Sequence, residues 1–203
     1  TGNAENEIKL KIFAYLIIKK ILILKFGFPK HIPRPGVFHP KAGVFYFDEG
    51  LKLYNNEIKN NIASSNGGGI SLSGASYFEI KNCRVSNNTS GQSWTIGGGG
   101  IYASGSNGKI ENTNLINNSG RYGGCMAFHG CQIELNNLEL IENIGSHEGG
   151  VIYFTQDGGS TINNTILFEN VGSGFMTFIG SSPSLSNIKI IQKLFLDMEG
   201  FIK

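Results

Sequence analysis

Short apolar runs alternate along this chain with small or polar residues, and Gly and Asn separate the runs. From residue 42 the alternation recurs in phase. A Gly stands two residues before a large apolar residue at Gly43-Val-Phe45, Gly68-Gly-Ile70, Gly99-Gly-Ile101, Gly124-Cys-Met126, Gly150-Val-Ile152, Gly174-Phe-Met176 and Gly200-Phe-Ile202, at steps of 25, 31, 25, 26, 24 and 26 residues. A second landmark keeps the same period. Asn55, Asn82, Asn112, Asn137, Asn164 and Asn187 each precede by three an aliphatic residue: Ile58, Val85, Leu115, Leu140, Leu167 and Ile190. Three positions further on, Asn61, Asn88, Asn118, Asn143 and Asn170 fill five copies, and Lys193 stands in the sixth.

The segments after the Gly, ISLS (70–73), IYAS (101–104), MAFH (126–129), IYFT (152–155) and MTFI (176–179), read as half-buried strands. A short turn follows, then a second alternating strand through the N-x-x-aliphatic landmark. One such unit, about 25 residues with two or three strands of 3–5 residues, cannot bury its own apolar face. Stacked on copies of itself at about 4.8 Å per coil, it can. The pattern predicts an all-β parallel β-helix of about six to seven coils of 24–31 residues, spanning residues 42–203. Aliphatic residues should stack in the lumen, the Asn columns should form ladders, and the corner glycines should take positive φ. A β-sandwich shares the short strands but not the recurrence of residue types in phase. A leucine-rich horseshoe would need an L-x-x-L-x-L frame, which the chain lacks.

The two ends are different. Residues 1–41 do not repeat the pattern. Residues 8–28 are apolar with interspersed lysines, and the longest uncharged run, Ile12–Ile18, is too short to span a bilayer. Three readings fit this segment: a cap on the solenoid, a degenerate extra coil, or a membrane-surface or partner-binding stretch. Pro29, Pro33, Pro35 and Pro40 make the stretch after it an extended connector. At the other end, Gly200-Phe-Ile202 is the start of a further coil. The expectation is that continuing chain or a protein partner stacks on the terminal coil.

Composition narrows the function. Charged residues are 16% of the chain and the net charge is +2, with no sustained basic run in the repeats, so no nucleic-acid partner is called for. Cys83, Cys125 and Cys131 have no zinc spacing; either Cys125–Cys131 closes a disulfide or the thiols are free and buried. Nothing in the pattern asks for a cofactor or a metal. The GGGG at 97–100 lacks the GK[ST] of a phosphate loop.

Candidate chemistry is sparse. Glycoside cleavage wants paired carboxylates, whereas the aspartates are Asp48, Asp157 and Asp197, at unrelated phases. A weak polar constellation combines His129, His147 and Glu148 with Glu134, Glu142 and Glu169; the last two are equivalent in successive coils and could share a cation. Cys125 replaces a Gly and reads as packed rather than reactive. Tyr102 and Tyr153 match in phase and, with Ile101 and Ile152 facing inward, should line the outside, where they could bind a glycan or a protein. Asn87, Asn88, Asn117 and Asn163 open N-x-S/T sequons. They slightly favour a cell-surface or extracellular location, and an intracellular or ciliary assembly is compatible with everything else.

The coils resemble right-handed parallel β-helix domains of the pectin-lyase-like superfamily, and above all the repeats of polymorphic outer-membrane proteins. The GGGI of 67–70, the GGGGI of 97–101, GGCM at 123–126 and GGVI at 149–152 are similar to the family's GG-A/I-I motif. Val85-x-x-Asn88, Leu115-x-x-Asn118, Leu140-x-x-Asn143 and Leu167-x-x-Asn170 are similar to its F-x-x-N motif, with an aliphatic residue for the Phe. The resemblance covers about residues 42–202 and implies right-handed winding. The Asn, Ile and Lys bias resembles chains encoded by AT-rich genomes such as those of ciliates. The resulting expectation is a non-catalytic structural or interaction module, a rigid section of a larger surface protein or assembly. The alternative is a carbohydrate-binding or polysaccharide-degrading protein.

Overall fold

The computed structural model describes residues 51–74, 77–91, 97–147 and 150–192. Strands follow one another coil by coil: β1 (Leu51–Tyr54) and β2 (Glu57–Lys59); β3 (Ile70–Ser73), β4 (Phe78–Lys81) and β5 (Arg84–Ser86); β6 (Ile101–Ser104), β7 (Asn107–Ile116) and β8 (Ser119–Gly120). Then come β9 (Met126–His129), β10 (Gln132–Ile141) and β11 (Ile144–Gly145); β12 (Ile152–Thr155) and β13 (Thr161–Phe168); β14 (Met176–Ile179) and β15 (Ser184–Ile191). Each strand pairs in parallel with its counterpart one coil away. The solenoid therefore has three faces. A front sheet stacks β3, β6, β9, β12 and β14; a long sheet stacks β1–β2, β4–β5, β7, β10, β13 and β15; a narrow sheet holds β8 and β11, extended by single bridges such as Thr89–Ser119 and Ile144–Val171. The described residues make between five and six turns.

Strand length departs from the expectation of 3–5 residues: β7 and β10 run for 10 and β13 and β15 for 8. The physical reason is the first Asn column. Asn112, Asn137, Asn164 and Asn187 sit inside these strands at φ of 47–53°. Left-handed backbone at a single residue bends the strand without ending its ladder, much as a bulge does. The register passes from Asn136↔Glu111 to Leu138↔Thr113, leaving the bend residue out of the pairing. Asn tolerates this conformation better than most side chains.

Inward positions stack in columns. On the front sheet these are Ile70–Ile101–Met126–Ile152–Met176 and Leu72–Ala103–Phe128–Phe154–Phe178. The Phe128 and Phe154 rings lie 4.8 Å apart at 38°, and Phe154 and Phe178 follow at 5.9 Å and 43°. On the long sheet Ile58, Val85, Leu115, Leu140 and Leu167 form one fully buried column, and Leu53, Ile80, Ile110, Leu135 and Ile162 another. Each large side chain withdrawn from water contributes roughly 2 kcal/mol. A bulky and a minimal residue can share a layer: a Cβ on Gly108 would press into the Phe78 ring.

The corner glycines need a correction. Gly68, Gly99, Gly124, Gly150 and Gly174 are not among the residues at positive φ. Gly67 and Gly123, one residue earlier, take that conformation in two of the coils. What excludes a side chain at the landmark is the coil stacked beside it. A Cβ on Gly68 would collide with the Gly99 carbonyl, one on Gly99 with the Gly124 carbonyl, and one on Gly150 with the Gly174 carbonyl. At Gly174 a Cβ would meet none of the described residues within 4 Å. Gly43 and Gly200 lie outside the described residues, as do the apolar segment 8–28 and Lys193.

Candidate functional site

Two asparagine columns, two binding faces and a scattered set of carboxylates are the candidates. The inner column is Asn61, Asn88, Asn118, Asn143 and Asn170, all buried. Each amide donates to the Oδ1 of the next asparagine, at 2.9 Å for Asn61–Asn88 and 3.0 Å for Asn88–Asn118, Asn118–Asn143 and Asn143–Asn170. The same Oδ1 accepts the backbone N–H of the preceding rung, at 2.9–3.1 Å. The second amide hydrogen goes to a carbonyl one coil back, from Asn118 to Val85 at 2.9 Å and from Asn143 to Leu115 at 2.8 Å. Every rung from Asn88 to Asn143 is thus saturated, which is the condition for burying an amide at all. Its role is structural, and it also settles one sequon. Asn88 spends its amide on Ile58 and Asn118. Asn87 and Asn117 are exposed instead, and their side chains pair with each other at 2.8 Å.

The outer column, Asn55, Asn82, Asn112, Asn137, Asn164 and Asn187, is exposed along its length. All six have positive φ. Only some side chains meet: Asn137 donates to Asn112 and Asn187 to Asn164, each at 2.8 Å, while Asn164 turns to Asn136 at 2.9 Å.

The outer side of the front sheet presents Ser71, Tyr102, Ala127, Tyr153 and Thr177 in one column. Ser73, Ser104, His129, Thr155 and Ile179 form the other. Tyr102 and Tyr153 therefore do belong to the outer side, but Ala127 separates them and their exposure differs. Tyr102 is half-buried, and burial pushes its phenol pKa up. Tyr153 is only 5% exposed. Tyr122 covers it, ring centroids 5.3 Å apart, and Tyr122 in turn stacks on His147 at 5.1 Å and 17°. The Arg121 guanidinium lies 5.5 Å over the Tyr122 ring, a cation–π distance. The His129 ring contacts the Thr155 hydroxyl through Nδ1 at 2.7 Å. Sequence reasoning missed Arg121 and Tyr122. The signal was available: Arg121 and His147 both stand three residues before a corner Gly, and the His147 N–H donates to the Arg121 carbonyl at 2.9 Å.

Of the polar constellation expected from sequence, only Glu142 and Glu169 come together, at one corner of successive coils; the others do not join them. His129 and His147 belong to the front face; Glu134 lies on the long sheet, 3.7 Å from Lys109; Glu142 and Glu169 occupy the outward corner after the long sheet at φ of 52° and 49°. Glu148 lies outside the described residues. Other carboxylates serve structure. The column Lys52–Glu79–Lys109–Glu134 alternates in sign along the long sheet. Glu79 accepts from the Tyr54 hydroxyl, which lowers the carboxyl pKa and holds the phenol up at about 12. Asp157 caps its own turn, accepting from the Ser160 N–H at 2.9 Å and the Gly159 N–H at 3.1 Å. Asp48 and Asp197 are not described. Among the described residues no group of three or more His, Cys, Asp or Glu is placed to hold a metal ion, and no helix is long and apolar enough to cross a membrane. Cys83, Cys125 and Cys131 are free and buried, and burial raises each thiol pKa, that of Cys125 most. A thiol so held is packing, not a nucleophile.

No curated protein matches the chain. A solved structure from Parabacteroides merdae, provisionally described as a glycosyl hydrolase, is similar over 73% of this chain and 76% of its own, at 11% identity and a TM-score of 0.32. A likeness of that degree carries no argument about activity. The sequence pattern of the right-handed β-helix region matches residues 38–193, which supplies the sense of winding. With in-register parallel coils, lumen stacks and a saturated asparagine ladder across the same span, the chain belongs to the right-handed β-helix family.

Proposed function

We propose that this chain is a non-catalytic structural or interaction module, a rigid β-helix section of a larger surface protein or multiprotein assembly. The observation that supports this most is how the surface spends its chemistry. On the front sheet the outward positions of both columns carry Ser, Thr, Tyr, Ala, His and Ile and no carboxylate. The long sheet's carboxylates Glu57, Glu79 and Glu111 are engaged in ion pairs along and between strands. Acid–base work on a glycoside needs two carboxyl groups facing one bond; the neighbouring carboxylates Glu142 and Glu169 sit at a corner beside the apolar Ile144 and Val171 and away from the front sheet. The lumen columns also reach the last described strands half-exposed, with Leu185 at 48% and Ile190 at 47%. Apolar surface of that kind suits a further protein layer. Incubation with a broad panel of acidic and neutral polysaccharides tests the reading. We expect no new reducing ends and no unsaturated products; release of either, lost in a front-face variant, would overturn it.

A second reading, carbohydrate binding, has one observation of its own. The Tyr122–His147 stack with Arg121 above it offers flat rings and a cation on one rim of the front sheet. Rings of this kind pack against sugar faces. Glycan-array binding that disappears in Tyr122→Ala while the coil fold persists would support it, and an array with no hits would remove it.

A further inference from the structure

A second exposed face changes character partway along the solenoid. The last outward position of each long-sheet strand forms the column Lys59–Ser86–Ile116–Ile141–Phe168–Ile191. It begins polar and turns apolar from the third coil on. Beside it, Ile166 is 37% exposed; across the corner, Ile144 and Val171 are 42% and 59% exposed and bridge one another. The corner column between them changes over the same coils. Asn60, Asn87 and Asn117 give way to Glu142 and Glu169, although all five hold the same left-handed backbone. The result is an apolar strip with carboxylates set into it, on the outside of the solenoid. Ser86 in the column is buried and Ile116, Ile141, Phe168 and Ile191 are half-buried, so the exposed part of the strip is Ile144, Ile166 and Val171, and exposed apolar side chains clustered in this way suit an interaction site.

We propose that this strip is the docking surface for the chain's own residues 8–28. Two features on the page select that occupant. The first is complementarity: the segment is apolar, carries Lys9, Lys11, Lys19, Lys20 and Lys25, and contains no acidic residue. Its side chains suit Ile141, Phe168 and Val171, and its ammonium groups suit Glu142 and Glu169. The second is reach. Residues 29–41 join the segment to the first coil, and their number allows a span of up to roughly 45 Å. Phe168 lies four coil steps from β1, about 19 Å along the axis. The exposed strip is covered in this way without a second protein, and the segment's own apolar surface is covered with it.

The test is zero-length carbodiimide coupling in the full chain, with the joined peptides identified by mass spectrometry. We expect lysines of residues 8–28 linked to Glu142 or Glu169. In a mixture of light and heavy isotope-labelled chains, the links should join light to light and heavy to heavy only. The double variant Ile141→Ser with Phe168→Ser should lower the yield about fivefold, equivalent to about 1 kcal/mol of lost contact, with an unchanged β circular dichroism spectrum. Should that variant fold poorly, Val171→Ser, at a 59% exposed position, gives the same readout more weakly. Absent links, or links indifferent to these substitutions, overturn the proposal. Mixed light–heavy links would assign the strip to a second copy instead. Flotation on phosphatidylserine vesicles, equal with and without the strip substitutions and accompanied by no links, would give residues 8–28 to a lipid surface.

Discussion

The two asparagine columns use one residue type for opposite reasons. The inner column, Asn61 to Asn170, is selected for its side chain: two amide donors and an acceptor close a chain of hydrogen bonds where water cannot enter. The outer column, Asn55 to Asn187, is selected for its backbone, because each member turns the chain through the left-handed region while its side chain is exposed. A buried polar group without its partner costs far more than an exposed one. An αL residue without Asn or Gly costs only the local steric penalty. The columns therefore differ in what substitutions they tolerate, although they look alike in the sequence.

The largest effect should come from the inner column. Asn118→Ala strands the Val85 carbonyl, the Asn88 side-chain amide and the Asn88 backbone N–H at once, and a loss on the order of 4 kcal/mol is expected. For a chain of this size that lowers the melting temperature by about 10 °C, measurable by calorimetry. The corner glycines give the next largest change. Gly124→Ala drives a methyl into the Ile144 backbone and should cost about 3 kcal/mol in chemical denaturation. Gly158→Ala, where a Cβ would meet only ordinary contacts at 3.5 Å and beyond without a positive φ, should be within about 0.5 kcal/mol of the parent chain. An equal loss at both positions would refute the stacking explanation for the landmark.

The outer column should yield less. Asn112→Ala is expected to cost about 1 kcal/mol, and Asn112→Gly to recover most of it, because Gly adopts the same φ freely. If Gly proved as costly as Ala at residue 112, side-chain pairing and not backbone conformation would govern that column too. The smallest effect concerns acid. The hydrogen bond from Tyr54 depresses the Glu79 carboxyl, and that from Lys109 depresses Glu111. A depressed carboxyl contributes stability above its unfolded pKa and loses it as pH falls through the folded value. The melting temperature should therefore decline slightly below the ordinary carboxylate range, and less so in high salt because these groups are near the surface. Loss of the Asn118 rung should leave this acid response unchanged.

Much of the fold was legible in the sequence because a solenoid writes its period into the chain. Each coil meets the same neighbours, so the same positions demand Gly, aliphatic or Asn residues every turn. Inward and outward positions could be assigned from alternation alone, and Ile101, Ile152 and Leu140 lie where that assignment put them. The reasons behind a residue were less legible. Gly at the landmark fits equally well with a turn or with close contact, and only the stacked carbonyls of the next coil separate the two. The site was least legible of all. Arg121, Tyr122, His147 and Tyr153 are scattered over 33 positions of the chain, and only lateral stacking of coils brings their side chains into contact.

By itself, then, the sequence determined the periodic features: the parallel coils, the lumen columns and the presence of an asparagine ladder. The tertiary structure decided what depends on contacts between coils. It showed which asparagines are buried, why the corner must be glycine, that Tyr153 lies beneath Tyr122, and that Glu142 and Glu169 share a corner away from His129 and His147. The division follows from the physics: period is a property of residues along one coil, whereas burial and stacking are properties of residues about 25 positions apart that meet only when the coils close.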